Sequence, residues 1–278
     1  MRAVSFVLFL ASVGCYPALP GSWDDYYVPE DVQILAASLE TSYAGSYWDD
    51  PSYTTSRLWW GWLAEPGPGW VGLDILAPEG IGCAPEREDF DTLLAQFEPP
   101  GAELSTVSGA EDLSLPFWSE AQIFYAEQDQ LASGRYNLDS FETDDAGQLE
   151  AQGMLRHPDP PQLEGPPMDG DNVAFISLDE LVFSWDPEDE AGDYVWIKLM
   201  PAVVDEGSYV AFESIVCLAH YADGELVIDE DVLSDPQGTE GIYIYRGLAN
   251  ETAVRVGLRE VSAAGFSLSQ QFGFVAVQ

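Results

Sequence analysis

The sequence predicts an all-β protein: two antiparallel β-sandwich domains in tandem, with one short helix in the N-terminal domain. Three observations predict it. Short segments of alternating apolar and polar residues recur along the chain, bounded by Gly, Pro, Asn and Asp. Helical periodicity is confined to a single stretch. Among 278 residues there are 9 Trp, 13 Tyr and 13 Phe, the large side chains that pleated, half-buried surfaces favour.

The chain opens on what reads as an export signal, residues 1–14. Arg2 supplies a positive start, Val4, Phe6, Val7, Leu8, Phe9 and Leu10 an apolar run, and Ala11, Ser12 and Gly14 the small residues before Cys15. That run is too short to stay in a bilayer, which takes roughly 20 apolar residues. Every later apolar stretch is broken by Asp, Glu, Gly or Pro.

Ser12-Val13-Gly14-Cys15 resembles the lipobox of bacterial lipoproteins. The resemblance implies cleavage before Cys15, a diacylglycerol on its sulfur and an acylated amine, and hence a membrane partner through that anchor. Several acyl chains hold firmly where one does not. Tyr16, in place of Asp, implies an outer-membrane destination in the cell envelope. The alternative is ordinary secretion, with cleavage near Ala18 or Pro20.

Residues 15–30, with Pro17, Pro20 and Pro29, form a tether. The N-terminal sandwich domain spans 31–155, with strands expected at 32–42, 57–64, 70–77, 104–107, 113–117, 121–126 and 149–155. Phe90, Leu93, Leu94 and Phe97 fall at i, i+3, i+4 and i+7 before Pro99-Pro100, which predicts the one helix. A Pro-rich linker, 156–171, follows. The C-terminal domain, 172–278, alternates through 181–185, 194–200, 209–220, 241–248, 252–263 and 266–277.

In that last domain Phe183-Ser184-Trp185-Asp186-Pro187, Tyr194-Val195-Trp196-Ile197, and Leu233 to Gly238 before Tyr243 resemble the fibronectin type III pattern. The resemblance implies an immunoglobulin-like sandwich, in which a strand-borne Trp and a Tyr on the next strand pack in the core. It carries no catalytic residue.

Charge excludes a class of partners. With 49 acids against 9 bases the net charge is −40, and no basic footprint exists for nucleic acid. Such a surface suits salt, divalent cations or a cationic partner; a general acidic bias of the proteome is the preferred explanation.

Catalytic constellations are scarce, and a non-enzyme is expected. There are 2 His, His157 in the linker and His220 at a strand end, and no Gly-x-Ser-x-Gly elbow. Cys217 and His220, three apart on a strand, point to opposite faces. Gly67-Pro68-Gly69-Trp70-Val71-Gly72 matches a dinucleotide fingerprint in letters only, because Pro68 turns the chain and a strand rather than a helix follows. Glycosidase chemistry needs a carboxylate pair, and 49 acids nominate none.

No cofactor is expected, calcium being the one candidate. Asp186, Asp189 and Asp193 crowd a loop with Glu188 and Glu190, which offers hard oxygen ligands, though a solvated acidic loop is the preferred reading. Cys83 and Cys217 either form a disulfide in an oxidising envelope or stay as buried thiols. Finally, Tyr47, Trp48 and Tyr53 sit in an Asp-, Ser- and Pro-containing loop of an aromatic-rich stretch. They are the candidate contacts to a protein or saccharide partner at the cell surface.

Overall fold

The computed structural model describes residues 33–43, 54–63, 80–86, 97–98, 104–143, 147–166, 175–187, 192–233, 235–256 and 261–278. The signal, Cys15, the tether and the glycine motif at 67–72 lie outside them. Among the described residues the chain is all-β, interrupted by short 3-10 turns such as Tyr221–Asp223 and Glu230–Val232.

The first strands are β1 (Gln33–Tyr43), β2 (Thr54–Leu63), β3 (Gly82–Pro85), β4 (Phe97–Glu98), β5 (Leu104–Gly109), β6 (Leu113–Trp118), β7 (Ile123–Gln128), β8 (Gly134–Thr143) and β9 (Gly147–His157). After them come β10 (Phe175–Ile176), β11 (Val182–Ser184), β12 (Tyr194–Asp205), β13 (Ser208–Ala211), β14 (Ile215–His220), β15 (Glu225–Val227), β16 (Gly241–Val256) and β17 (Val261–Val277).

Most of these strands join one large sheet in the order β3-β14-β12-β16-β17-β1-β2-β7-β6-β5-β8-β9, while β11 and β15 form a separate ribbon. The sheet is mixed rather than wholly antiparallel, because β1 and β10 both run parallel to β17. Hydrogen bonding therefore passes from segment 31–155 to segment 172–278 at two seams, β1 against β17 and β3 against β14.

The sequence of β1 explains its central place. Ile34-Leu35-Ala36-Ala37 is an unbroken apolar run, the pattern of a strand covered on both faces. Ile34 and Ala36 enter a core with Leu58, Trp60, Phe124, Tyr136, Leu138, Met154 and Leu155. Leu35 and Ala37 face the other way, toward Trp59, Ile123, Trp196, Phe266 and Leu268. A third core holds Phe183, Trp185, Val195, Ile197, Leu199, Ile215 and Val275. The layers that result are β-sandwich-like.

Strand β9 packs across β16 and β17. Its approach is close at Gly265, where a Cβ would stand 2.8 Å from Leu155 Cδ2 and 3.1 Å from the carbonyl oxygens of Ala36 and Met154. Asn250 Nδ2 of β16 donates to the Arg156 carbonyl at 2.8 Å.

Several sequence expectations are corrected here. The single strand at 209–220 is two, β13 and β14, because the pairing with β12 moves from Ala202↔Ala211 to Leu199↔Ile215, three residues on one side against four on the other. That extra residue is a bulge. Conversely, 241–248 and 252–263 are not separate strands, since β16 runs unbroken to Val256. Phe97, assigned to the helix, lies in β4, and positions 90–94 are outside the described residues. Strands β3 and β8 were not anticipated. Arg156 and His157, assigned to the linker, finish β9, and Leu163 further along is buried in the third core.

Candidate functional site

Strand alternation sorts the side chains of β2, β7 and β6 onto two faces. Leu58, Trp60 and Phe124 go inward, with Trp60 stacked on Phe124 at 4.5 Å and donating through Nε1 to Ser105 Oγ at 3.1 Å. The opposite face carries Arg57 and Trp59 from β2, and Tyr125 and Glu127 from β7. The register sets Arg57 against Glu127 and Trp59 against Tyr125. On β6, Trp118 stands opposite Ile123 and meets Tyr125 diagonally, ring centroids 5.4 Å apart.

This face is only partly open: Trp59 and Ile123 are buried against Leu35, Ala37 and Trp196, while Arg57, Glu127 and Trp118 reach solvent. Trp118 is 44% exposed, and its Nε1 donates to Glu120 Oε2 at 3.4 Å. The Tyr125 hydroxyl donates to Glu127, whose carboxylate also lies 3.7 Å from Arg57 Nε. Partial burial and then the bond to Glu127 push the Tyr125 pKa up to about 12. Each ring is thus held at its polar edge while its face stays free of that bond.

Beside these residues lies a cleft of about 490 Å³, lined by Tyr43, Thr54, Thr55, Arg57, Glu127, Gln128 and Asp129. It sits where β1 and β2 meet the connection 44–53 that holds Tyr47, Trp48 and Tyr53. Those three aromatics lie outside the described residues. Tyr43 itself packs edge-on against Phe272 at 5.7 Å.

A second polar group of residues is buried. Glu40 is 1% exposed and accepts from Ser56 Oγ at 3.2 Å, the Leu131 amide at 3.1 Å and Ser269 Oγ at 3.5 Å. Two positions earlier, Ser38 Oγ is 3.0 Å from His157 Nδ1. Burial drives the His157 pKa down to about 4, with Asp159 pulling weakly the other way. The second ring nitrogen, Nε2, has no hydrogen-bond partner among the described residues. At 2% exposure His157 is out of reach of a substrate and serves packing.

The remaining candidates fall elsewhere. Cys83 and Cys217 face each other on β3 and β14 and form a disulfide. Asp193 is engaged by Arg156, 3.4 Å from Nη1 to Oδ1. Asp186 is exposed and Asp189 lies outside the described residues. Among the described residues no three His, Cys, Asp or Glu side chains are grouped to hold a metal. Lys198, the chain's single lysine, pairs with Glu86 at 2.6 Å and lies over the Tyr245 ring.

Sequence reasoning missed Trp118, Tyr125, Arg57 and Glu127. The signal was present in the alternation of β7, where Phe124 and Ala126 are apolar and Tyr125 and Glu127 are amphipathic or charged. The pairing that assembles the four is a matter of register. Comparison with known proteins finds no matching family model, no similar curated protein and no similar solved structure.

Proposed function

We propose that this chain is a non-enzymatic, lipid-anchored protein of the cell envelope that presents the outer face of β2, β7 and β6 as a binding surface. The observation that carries the reading is the open cleft at the end of β1 and β2. It is polar, and Tyr125, bonded to the lining residue Glu127, carries the same face on to the exposed Trp118. Rings held at their edges beside carboxylates and an arginine are suited to contact a ligand rather than to fill a core.

Two further features support the address. The disulfide belongs with an oxidising compartment, and the apolar run ending at Gly14-Cys15 belongs with export and acylation. Tyr16 after the modified cysteine favours the outer membrane. The burial of Trp185, with its Nε1 donating to the Tyr221 carbonyl, supports an immunoglobulin-like arrangement for 172–278.

Fractionation of cells expressing the full chain tests the anchor. With a fatty-acid label, the native protein is expected in the membrane fraction carrying label, and Cys15→Ser in the soluble or secreted fraction without it. A Cys15→Ser protein that still pellets with membranes overturns the anchor, and unlabelled native protein in the medium points to plain secretion.

A further inference from the structure

We propose that the cleft lined by Tyr43, Arg57 and Glu127, with Tyr125 and Trp118 following on the same face of the sheet, binds a neutral oligosaccharide. This rests on the reading of the outer face as a ligand surface and names the class of ligand.

The chemistry of the groove selects for hydroxyl groups. A sugar hydroxyl both donates and accepts, and a sugar ring has an apolar face of C–H groups. Arg57 supplies donors, Glu127 and Asp129 supply acceptors, and Thr54 and Thr55 supply both, all lining one cleft. Planar groups such as guanidinium and carboxylate bind two neighbouring oxygens at once. Beyond the cleft lining, next to Tyr125, Trp118 is 44% exposed and offers an aromatic face. Its indole N–H is already given to Glu120 and the Tyr125 hydroxyl to Glu127, so both rings are oriented before any ligand arrives. Preorganisation of this kind lowers the entropy cost of binding.

The alternatives fit less well. An apolar ligand would meet a lining that is mostly polar. A polyanion would be repelled by Glu120, Glu127 and Asp129 and by a chain of net charge −40. A cationic peptide would find Arg57 in the middle of the groove, 3.7 Å from Glu127 and partly cancelling it. Distances along the strands also suit a chain of sugars. From Trp118, opposite Ile123, to Arg57, opposite Glu127, the path crosses β6, β7 and β2 and advances four residues along β7; at roughly 4.8 Å per strand and 3.4 Å per residue this is a diagonal of about 17 Å, a span that fits about three linked rings.

Affinity electrophoresis of the full chain tests the proposal, in native gels holding laminarin, xyloglucan, galactomannan or alginate. Fluorescence anisotropy with hexalysine tests the cationic alternative. At least one neutral polysaccharide is expected to retard the protein, and alginate is not. Trp118→Ala is expected to weaken that binding about tenfold, through lost stacking and contact area. Arg57→Ala is expected to weaken it too, while Trp118→Phe keeps most of it. Both positions are exposed, so unchanged melting curves identify a loss of binding as local. Retention of binding by both alanine variants places the site elsewhere and overturns the proposal. Binding of hexalysine but of no neutral polysaccharide, reduced by Trp118→Ala, overturns the ligand class and leaves the surface standing. No binding to any probe overturns both, and the anchor is judged separately by the Cys15→Ser fractionation.

Discussion

Ser38 Oγ lies 3.0 Å from His157 Nδ1, a contact between residues 119 apart in the sequence. It fastens the end of β9 to the central strand β1, beside the buried Glu40. Because the imidazole is buried, it is held neutral at pH values where an unfolded histidine would take up a proton.

That contact makes stability depend on pH in a stated direction. The folded pKa of His157, about 4, lies below its ordinary value of 6.5. Between those values the unfolded chain binds the proton and the folded chain does not. Stability is therefore expected to fall as the pH drops from 6.5 toward 4, by about 1.4 kcal/mol per pH unit at most. Melting temperatures measured across that window for the native protein and His157→Gln check this. The variant keeps a partner for Ser38 and should show a flatter acid limb; identical limbs would refute the assignment.

Glu40 is expected to tolerate little change. Glu40→Ala strips the acceptor from the buried Ser56 and Ser269 hydroxyls, and one of two from the Leu131 amide, which also donates to Ser56 Oγ. A loss of about 2–4 kcal/mol follows, readable by urea unfolding. Glu40→Gln, which keeps an acceptor oxygen, should lose less.

Reduction of Cys83–Cys217 opens a crosslink between residues 134 apart. In the chain-entropy account such a link is worth about 4–5 kcal/mol. The melting temperature is expected to fall on treatment with a reductant, and Cys83→Ser should reproduce that fall and be insensitive to further reductant. An unchanged melt would show that the bond is not formed in solution.

Gly265→Ala is expected to cost about 1–3 kcal/mol. The added methyl would crowd Leu155 and two carbonyl oxygens from β1 and β9, and backbone on both sides has little room to retreat. Gly207→Ala, at a turn where nothing lies within 4 Å but φ is +86°, supplies the contrast: its cost is conformational alone, and smaller.

Local chemistry was legible before any tertiary structure. Alternation in 194–200 and 113–117, the apolar run of β1 and the scarcity of helical periodicity depend on side-chain spacing, which the linear order of residues holds completely. The aromatic wealth around 43–62 and the two-histidine limit on catalysis are of the same kind. What tertiary structure decided is pairing. That β1 lies parallel to β17 at the far end of the chain, that a bulge divides β13 from β14, and that Trp118, Tyr125, Glu127 and Arg57 meet on one face are all consequences of register between strands. Register is chosen by the total burial of a sheet face, so a single residue's slip reverses every side chain. His157 makes the point sharply. Its prolines at 158 and 160 mark an extended segment, yet only the close seat of β9 over Gly265 turns a linker histidine into a core one.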